Sequence, residues 1–389
     1  MAEKKGQFGQ ELIDMDEKGV PIKKLDKKEK EVKKLKLPKV FKLIIFLIIV
    51  IFLIVFLAYY FRTKEKNFNI FDETQLKNLK LKNRIFFGGY FNNSFKDGKF
   101  TEEALEKFEN LAKNDVSIII TGSACVGDCS PSLMEGLTIS RIDSDEYIEE
   151  FKKLSNIVHK YNSSILLQIA HMGLYSIEDI IYSPSGGKGF NRDIESKEMT
   201  KEDILRVQDY FTKAAIRAKK AGYDGIQIHA SNLCLISLFL SKEYNKRTDE
   251  YGGSYIKRAK FFVEIVKKIR ENIGNHMIIS AKLDFEHVRF GFPKSEPIAL
   301  IITAKLLEEA CIDIIEVNVV NPMKKGELFL VESASILSRK LKIPVSIIGG
   351  IKTYKQANFV LNEFKIKYIS LASALMNEPD LVKKWHKNK

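Results

Sequence analysis

The chain has 389 residues, of which 45% are hydrophobic and 29% are charged, so its composition excludes a collagen-like or mainly disordered protein. Its formal net charge is +13, and residues 1–42 concentrate part of it with 13 Lys against 8 acidic residues. The rest of the excess charge forms no basic block and accompanies no nucleic-acid motif, so we expect no nucleic-acid partner.

An apolar segment follows this Lys-rich tail. Residues Leu43 to Phe61 contain no charge over 19 positions, and at about 1.5 Å per residue such a helix crosses a hydrocarbon core of about 30 Å. No small-residue cleavage site follows it, which favours an uncleaved anchor over a signal peptide. Ten Lys precede the segment between Lys23 and Lys42. The positive-inside rule then predicts a cytoplasmic N-terminus and a large domain on the extracytoplasmic or lumenal side.

From Leu81 onward, short apolar runs alternate with amphipathic helical patterns. Eight runs predict strands: Ile85–Gly89, Val116–Thr121, Ser164–Ile169, Gly225–His229, Met277–Leu283, Ile312–Val317, Pro344–Gly349 and Tyr368–Leu371. Apolar strands separated by helices are typical of a parallel sheet, and eight such units in about 300 residues favour a closed (β/α)₈ TIM barrel. No Gly-x-Gly-x-x-Gly opens the first helix, which disfavours a Rossmann domain.

These patterns predict a linear domain order. We expect a Lys-rich cytoplasmic tail at 1–42, a transmembrane helix at 43–61, a linker at 62–80 and the barrel at 81–389. Sites in such barrels form at the carboxyl ends of the strands, so polar residues just after each apolar run are the candidates.

The four cysteines do not form a disulfide scaffold in a chain of this size. Cys125 and Cys129 have neither zinc-ribbon nor Cys-x-x-Cys spacing, and a disulfide between them would require an oxidising compartment. With six His in the whole chain, we expect no metal site.

Residues 222–254 read GYDGIQIHASNLCLISLFLSKEYNKRTDEYGGS, and this segment resembles the signature of the old yellow enzyme family. Further segments agree in order: LKNRI at 81–85, LQIAHMG at 167–173, SPS at 183–185, EMT at 198–200, the glycine pair at 349–350 and NEPDL at 377–381. The SPS segment matches the family's substrate loop. The resemblance spans roughly residues 70–386. It implies an FMN-binding barrel that accepts electrons from NADH or NADPH and reduces a small-molecule electrophile.

The resemblance also implies roles for individual residues. His229 and Asn232 match the pair that donates hydrogen bonds to a substrate carbonyl, and Cys234 stands at the position of the proton donor. Gln168 matches the side chain at the flavin ring edge, and Lys282 replaces an Arg that stabilises the reduced flavin. The complete set of implied cofactor-binding residues is Gly89, Gln168, Lys282, Gly349, Gly350, Ala372 and Ser373.

The chain departs from the family at several of these positions. Cys234 replaces a Tyr, and a thiol is a shorter proton donor with a pKa of about 8.5. Ala372 and Ser373 replace a Gly-Arg pair, which removes a bidentate contact to phosphate. The other departures are Gly88-Gly89 for an Ala-Pro pair, Phe91 for Thr or Cys, and Ala170 for Trp.

Three functions therefore remain open from the sequence. The first is an FMN-dependent oxidoreductase that transfers hydride from NAD(P)H to an α,β-unsaturated carbonyl compound, a quinone or a nitro compound, with the proton supplied by Cys234 or water. The second is a membrane-tethered barrel that has lost catalysis and serves for binding or scaffolding. The third is a flavin electron carrier without ene-reduction.

Overall fold

The computed structural model describes residues 38–63, 68–89, 95–128, 138–176, 180–188, 195–287, 297–320 and 329–387. The chain divides into two compact units, Met1–Lys66 and Asn67–Lys389. Most of the predicted Lys-rich tail lies outside the described residues, as do Phe91 and Cys129.

The described part of the first unit is one helix, α1 (Lys39–Thr63). Its segment Lys39–Leu57 has a mean hydropathy of 3.5, and none of that segment is buried inside the structure. The helix contains the whole predicted apolar segment and extends it at both ends. By length and composition it is able to cross a membrane.

The second unit contains the sheet. Its strands among the described residues are β1 (Thr74–Leu76), β2 (Leu79–Leu81), β3 (Ile85–Phe87), β4 (Phe95–Lys96), β5 (Lys99–Phe100), β6 (Ile118–Ile120), β7 (Ala124–Cys125), β8 (Ser140–Arg141), β9 (Ser164–Ala170), β10 (Tyr182–Ser183), β11 (Gly187–Lys188), β12 (Glu195–Glu198), β13 (Gly225–Ala230), β14 (Ile278–His287), β15 (Ile314–Val320), β16 (Val345–Ile348) and β17 (Tyr368–Leu371).

The helices of this unit follow the strands in alternation. They are α2 (Glu102–Lys113), α3 (Ile148–His159), α4 (Lys201–Lys220), α5 (Leu235–Leu240), α6 (Tyr255–Ile273), α7 (Pro297–Glu309), α8 (Phe329–Lys340), α9 (Tyr354–Glu363), α10 (Ser373–Asn377) and α11 (Leu381–Lys387). Side-chain caps begin several of them, for example the capping box in which Thr200 and Asp203 bond each other's backbone at the start of α4.

Eight parallel strands close into a barrel in the order β3, β6, β9, β13, β14, β15, β16, β17 and back to β3. The predicted (β/α)₈ fold is therefore confirmed, and each of the eight predicted strands corresponds to one barrel strand. The small differences in strand bounds lie at the ends of the strands.

The structure differs from the sequence prediction in the stretch expected to be a linker. Strands β1 and β2 form an antiparallel hairpin there, with Lys77 in the left-handed conformation at its turn. Leu76 and Leu81 of the hairpin pack with Phe86 and Tyr368 in a buried cluster inside the barrel. The hairpin covers the amino-terminal end of the barrel core, and burial of its leucines explains why this stretch is ordered.

Candidate active site

The barrel brings most of the predicted site residues to the carboxyl ends of its strands. His229 on β13 lies in register beside Lys282 on β14, and Lys282 lies beside Glu316 on β15. Gln168 on β9 is in register with Gln227 on β13. Gly89, the glycine pair at 349–350, and Ala372 with Ser373 follow three further barrel strands.

His229 is a buried, neutral imidazole. It is 1% exposed, and the Ser231 hydroxyl lies 3.3 Å from its Nδ1 atom. Burial, reinforced by the nearby charge of Lys282, lowers the pKa of His229 to about 3. A neutral imidazole carries one N–H donor, so His229 can donate a hydrogen bond to a carbonyl oxygen without a charge of its own.

Asn232 is held by a carboxylate to which the sequence assigned no role. The Asn232 backbone N–H donates to Asp284 Oδ2 at 2.7 Å, and Asn318 Nδ2 donates to Asp284 Oδ1 at 2.7 Å. Asn232 and Leu233 have φ values of 54° and 58°, a left-handed conformation that non-glycine residues adopt only at a cost. Asp284 therefore stabilises the turn that contains Asn232.

Cys234 lies in an apolar environment. It is the residue that precedes α5, it is 2% exposed, and it packs in a buried cluster with Cys125, Ile139, Ala170 and Met172. Burial, with a contribution from the charge of Asp284, raises the pKa of the Cys234 thiol. The thiol therefore keeps its proton at neutral pH, and transfer of that proton would leave a buried thiolate beside a carboxylate.

The same cluster contains a disulfide-bonded cysteine. Cys125 is disulfide-bonded, whereas Cys234 and Cys311 are free. The other cysteine of the Cys125 motif, Cys129, lies outside the described residues.

Gln168 belongs to a chain of polar side chains in the barrel interior. Its Oε1 accepts from the Ser123 hydroxyl at 2.5 Å, and its Nε2 donates to Gln227 Oε1 at 2.7 Å. Gln227 in turn donates to Ser280 Oγ at 3.3 Å. These bonds fix the orientation of the Gln168 amide. A flavin ring edge bound beside it would therefore meet an amide group that is already oriented and does not rotate freely.

Glycine is required at position 89. A Cβ atom there would lie 2.4 Å from the Thr121 carbonyl oxygen and 2.8 Å from Gln168 Nε2. The proline found at this position in the resembling family therefore does not fit this backbone. The Gly89 carbonyl oxygen lies 3.5 Å from Lys282 Nζ.

Lys282 is buried, and its contacts with the other described residues are longer than ordinary hydrogen bonds. Besides the Gly89 carbonyl, its Nζ lies 3.6 Å from Glu316 Oε1, and the two side chains are 6% and 1% exposed. Ordinary N–H···O distances are about 2.7–3.2 Å. An ammonium that is buried but loosely contacted at the open end of a barrel has donor capacity for an anionic group.

Exposed residues form the end of the barrel at which the phosphate is expected. Gly349 and Gly350 follow β16 with φ values of 101° and 74°, and both are exposed. Successive glycines in this conformation are able to present backbone N–H groups to an anion. Ser373, also exposed, begins the short helix α10 after Ala372. Together with Lys282 and the oriented Gln168 amide, these residues fit FMN: the cation suits the pyrimidine edge and the glycine turn suits the phosphate.

The most specific motif of the sequence, KRTDEYGGS at 246–254, supports a loop rather than contacting the reacting atoms. Arg247 Nη1 donates to the carbonyl oxygens of Pro184 and Met199 at 2.8 and 2.7 Å. The Lys246 backbone N–H donates to the Ser185 hydroxyl at 2.8 Å. A Cβ atom at Gly252 would lie 2.1 Å from the Arg247 carbonyl oxygen. The motif therefore holds the segment expected to be the substrate loop.

Comparison with known proteins gives the same assignment. The profile of the NADH:flavin oxidoreductase / NADH oxidase family matches residues 69–389. An NADH oxidase of Thermoanaerobacter brockii is 28% identical over 334 residues, which cover 81% of this chain and 50% of that protein. An NADPH dehydrogenase of Bacillus subtilis is 28% identical over 317 residues, which cover 80% of this chain and 92% of that protein.

A solved structure shares the fold. The old yellow enzyme homologue from Zymomonas mobilis superposes with a TM-score of 0.71 at 23% identity, covering 82% of this chain and 93% of that one. The chain spans about half the length of the first curated relative but nearly all of the Bacillus enzyme. The predicted family and cofactors are confirmed: the chain belongs to the NADH:flavin oxidoreductase / NADH oxidase family, to which the old yellow enzymes belong, with FMN as cofactor and NADH or NADPH as electron donor.

Proposed function

We propose that the chain is an ene-reductase: it uses NADH or NADPH, through FMN, to reduce the carbon–carbon double bond of an α,β-unsaturated carbonyl compound or a similar electrophile. The observation that carries this proposal is the neutral, buried imidazole of His229 beside the turn that Asp284 holds at Asn232. Two uncharged donors three residues apart suit a carbonyl oxygen on which negative charge develops.

Each residue has a distinct part in this proposal. When bound, FMN supplies the hydride chemistry. His229 and Asn232 bind the carbonyl oxygen of the acceptor and so draw electron density away from its β-carbon. Lys282 offsets negative charge on the cofactor, and the Ser123–Gln168–Gln227 chain orients the amide at the ring edge.

The proton of the reaction is assigned to water in this proposal. The Cys234 thiol lies in an apolar cluster, and its pKa is raised by burial. A weak, buried acid is a poor proton donor, because the thiolate it leaves is not solvated. This assignment selects between the two donors that the sequence left open.

The test is turnover of the FMN-loaded chain with NADPH and 2-cyclohexenone under anaerobic conditions. Formation of cyclohexanone supports the proposal. Oxidation of NADPH with a quinone but no reduction of the enone would instead support a flavin electron carrier. The apolar setting of Cys234 is the observation that favours this second function.

We also propose that α1 anchors the chain in a membrane, with its N-terminus in the cytoplasm and the barrel on the extracytoplasmic or lumenal side. The uncharged run Leu43–Phe61 within α1 and the ten Lys residues between Lys23 and Lys42 support this topology. The disulfide-bonded state of Cys125 suits an oxidising compartment.

This topology is tested with membrane vesicles of known orientation that carry the full chain. Retention in the membrane after alkaline carbonate extraction, with a barrel that protease digests only from the extracytoplasmic side, supports it. Release into the soluble fraction would contradict the anchor, and digestion from the cytoplasmic side would contradict the orientation. The second outcome would place the barrel beside the cytoplasmic pool of NADH and NADPH.

A further inference from the structure

A buried carboxylate lies inside the barrel next to Lys282. Glu316 on β15 has a side chain that is 1% exposed, and the Ser370 hydroxyl of β17 donates to its Oε2 atom. Its Oε1 atom lies 3.6 Å from Lys282 Nζ and has no hydrogen-bond donor among the described residues. The carboxylate therefore has one well-bonded oxygen and one that faces the ammonium at long range.

We propose that Glu316 is a positioning residue that sets the reduction potential of bound FMN by sharing the charge of Lys282. The proposal rests on the proposed placement of the flavin beside Lys282. It assigns Glu316 a part in the chemistry without any contact to substrate or cofactor.

The sign of the effect follows from charge. Two-electron reduction adds negative charge to the flavin, and a nearby ammonium stabilises that charge. A carboxylate 3.6 Å from the same ammonium offsets part of its field, and this compensation is strong because both side chains are shielded from water. Glu316 should therefore lower the flavin potential below the value that Lys282 alone would give.

The local bonding shows how the protein controls the strength of this compensation. The Ser370 hydroxyl stabilises negative charge on the far oxygen of the carboxylate. The Gly89 carbonyl, 3.5 Å from Nζ, is a second acceptor for the ammonium. Lys282 is thus placed between two protein acceptors and the open end of the barrel, so any change in one acceptor alters the charge available to the cofactor.

The test is the midpoint potential of FMN bound to the full-length chain, measured in detergent by equilibration with reference dyes. Glu316→Gln keeps the side-chain shape and removes the charge. We expect it to favour reduced over oxidised FMN by at least about tenfold, which raises the midpoint of this two-electron couple by about 30 mV. The same factor should appear in the ratio of the dissociation constants of oxidised and reduced FMN.

Ser370→Ala supplies an independent variant of opposite sign. Without the hydroxyl dipole, less of the field of the Glu316 carboxylate is offset, so the midpoint should fall below that of the unmodified chain. Ser346→Ala is the matched control for loss of a buried hydroxyl, because Ser346 pairs in register with Glu316 on the neighbouring strand. No described hydrogen bond joins Ser346 to Glu316 or Lys282, so the FMN midpoint potential of the Ser346→Ala variant should equal that of the unmodified chain.

The outcomes separate this inference from the proposed function. An unchanged midpoint in FMN-loaded Glu316→Gln, or shifts of equal size and sign in all three variants, would overturn the role of Glu316 alone. The predicted shifts in a protein that fails to reduce enones would support Glu316 and contradict ene-reduction. Failure of the unmodified chain to bind FMN would overturn both.

Discussion

Replacement of Asp284 tests whether the turn at Asn232 is held by this carboxylate. Asp284 is buried, 5% exposed, and accepts two hydrogen bonds of 2.7 Å, one from the Asn232 backbone and one from the Asn318 side chain. Hydrogen bonds to a charged group each contribute about 1.5–3 kcal/mol. We therefore expect Asp284→Ala to lower the free energy of unfolding by about 2–4 kcal/mol, since partial solvation of the freed donors offsets some of the loss.

The effect on ligand binding is separable from the effect on stability. A single side-chain hydrogen bond from Asn232 to a ligand oxygen contributes about 0.5–1.5 kcal/mol. If the turn relaxes from its left-handed conformation, this bond is lost. The dissociation constant for a phenol-type ligand should then rise by about two- to tenfold. Asp284→Asn keeps an acceptor for the Asn232 backbone, so it should restore most of the affinity.

The assay is a titration of the FMN-loaded chain with a para-substituted phenol, monitored by flavin absorbance, together with urea unfolding. Asp209→Ala is the control, because Asp209 is a half-exposed carboxylate that pairs with Lys213 on α4. That variant should change neither quantity by more than about 0.5 kcal/mol. Normal phenol affinity in a folded Asp284→Ala variant would refute the positioning role.

Three further predictions concern individual side chains. His229→Ala should weaken phenol binding by about tenfold through the lost hydrogen bond. In the unmodified chain, affinity for a non-ionising ligand should be constant from about pH 5 to 8, because the His229 imidazole stays neutral. A change in affinity with a midpoint near pH 6.5 would contradict the lowered pKa of His229. If water supplies the proton, Cys234→Ala should retain enone turnover. If the missing side-chain donor limits the rate, Cys234→Tyr should raise turnover. Loss of turnover in a folded Cys234→Ala variant would instead identify the thiol as the proton donor. The pKa of His159 is raised mainly by its 2.8 Å hydrogen bond to Asp224, so its contribution to stability is complete below about pH 6.5 and is lost as pH rises through the folded value. His159→Gln should therefore flatten the fall in melting temperature above that pH, and an unchanged slope would contradict it.

The sequence predicts the barrel well because each strand is a continuous apolar run followed by a helical pattern. Strand β17 has the predicted bounds, and helices α2 and α9 begin directly after the capping residues Thr101 and Thr353. The hairpin at Thr74–Leu81 was missed because it is short and polar on one face. Its role depends on two leucines that are buried only when the barrel closes.

The site is predictable only in part. The resemblance supplied His229 and Lys282, and the register of β13 with β14 places them side by side. The roles of Asp284 and Glu316 depend on the pairing of β14 with β15, which decides which side chains meet. A sequence signal for Glu316 did exist, because a lone carboxylate within the apolar run Ile314–Val320 requires a buried partner. That partner could not be identified without the strand register.

One measurement tests the central claim of ene-reduction most directly. The full-length chain, loaded with FMN under anaerobic conditions, is reduced with NADPH, and 2-cyclohexenone is then added while the flavin absorbance is recorded. We predict that the blue absorption band is lost on reduction and returns when the enone is added, with cyclohexanone as product. A folded protein whose flavin is bleached by NADPH but is not reoxidised by the enone would contradict ene-reduction.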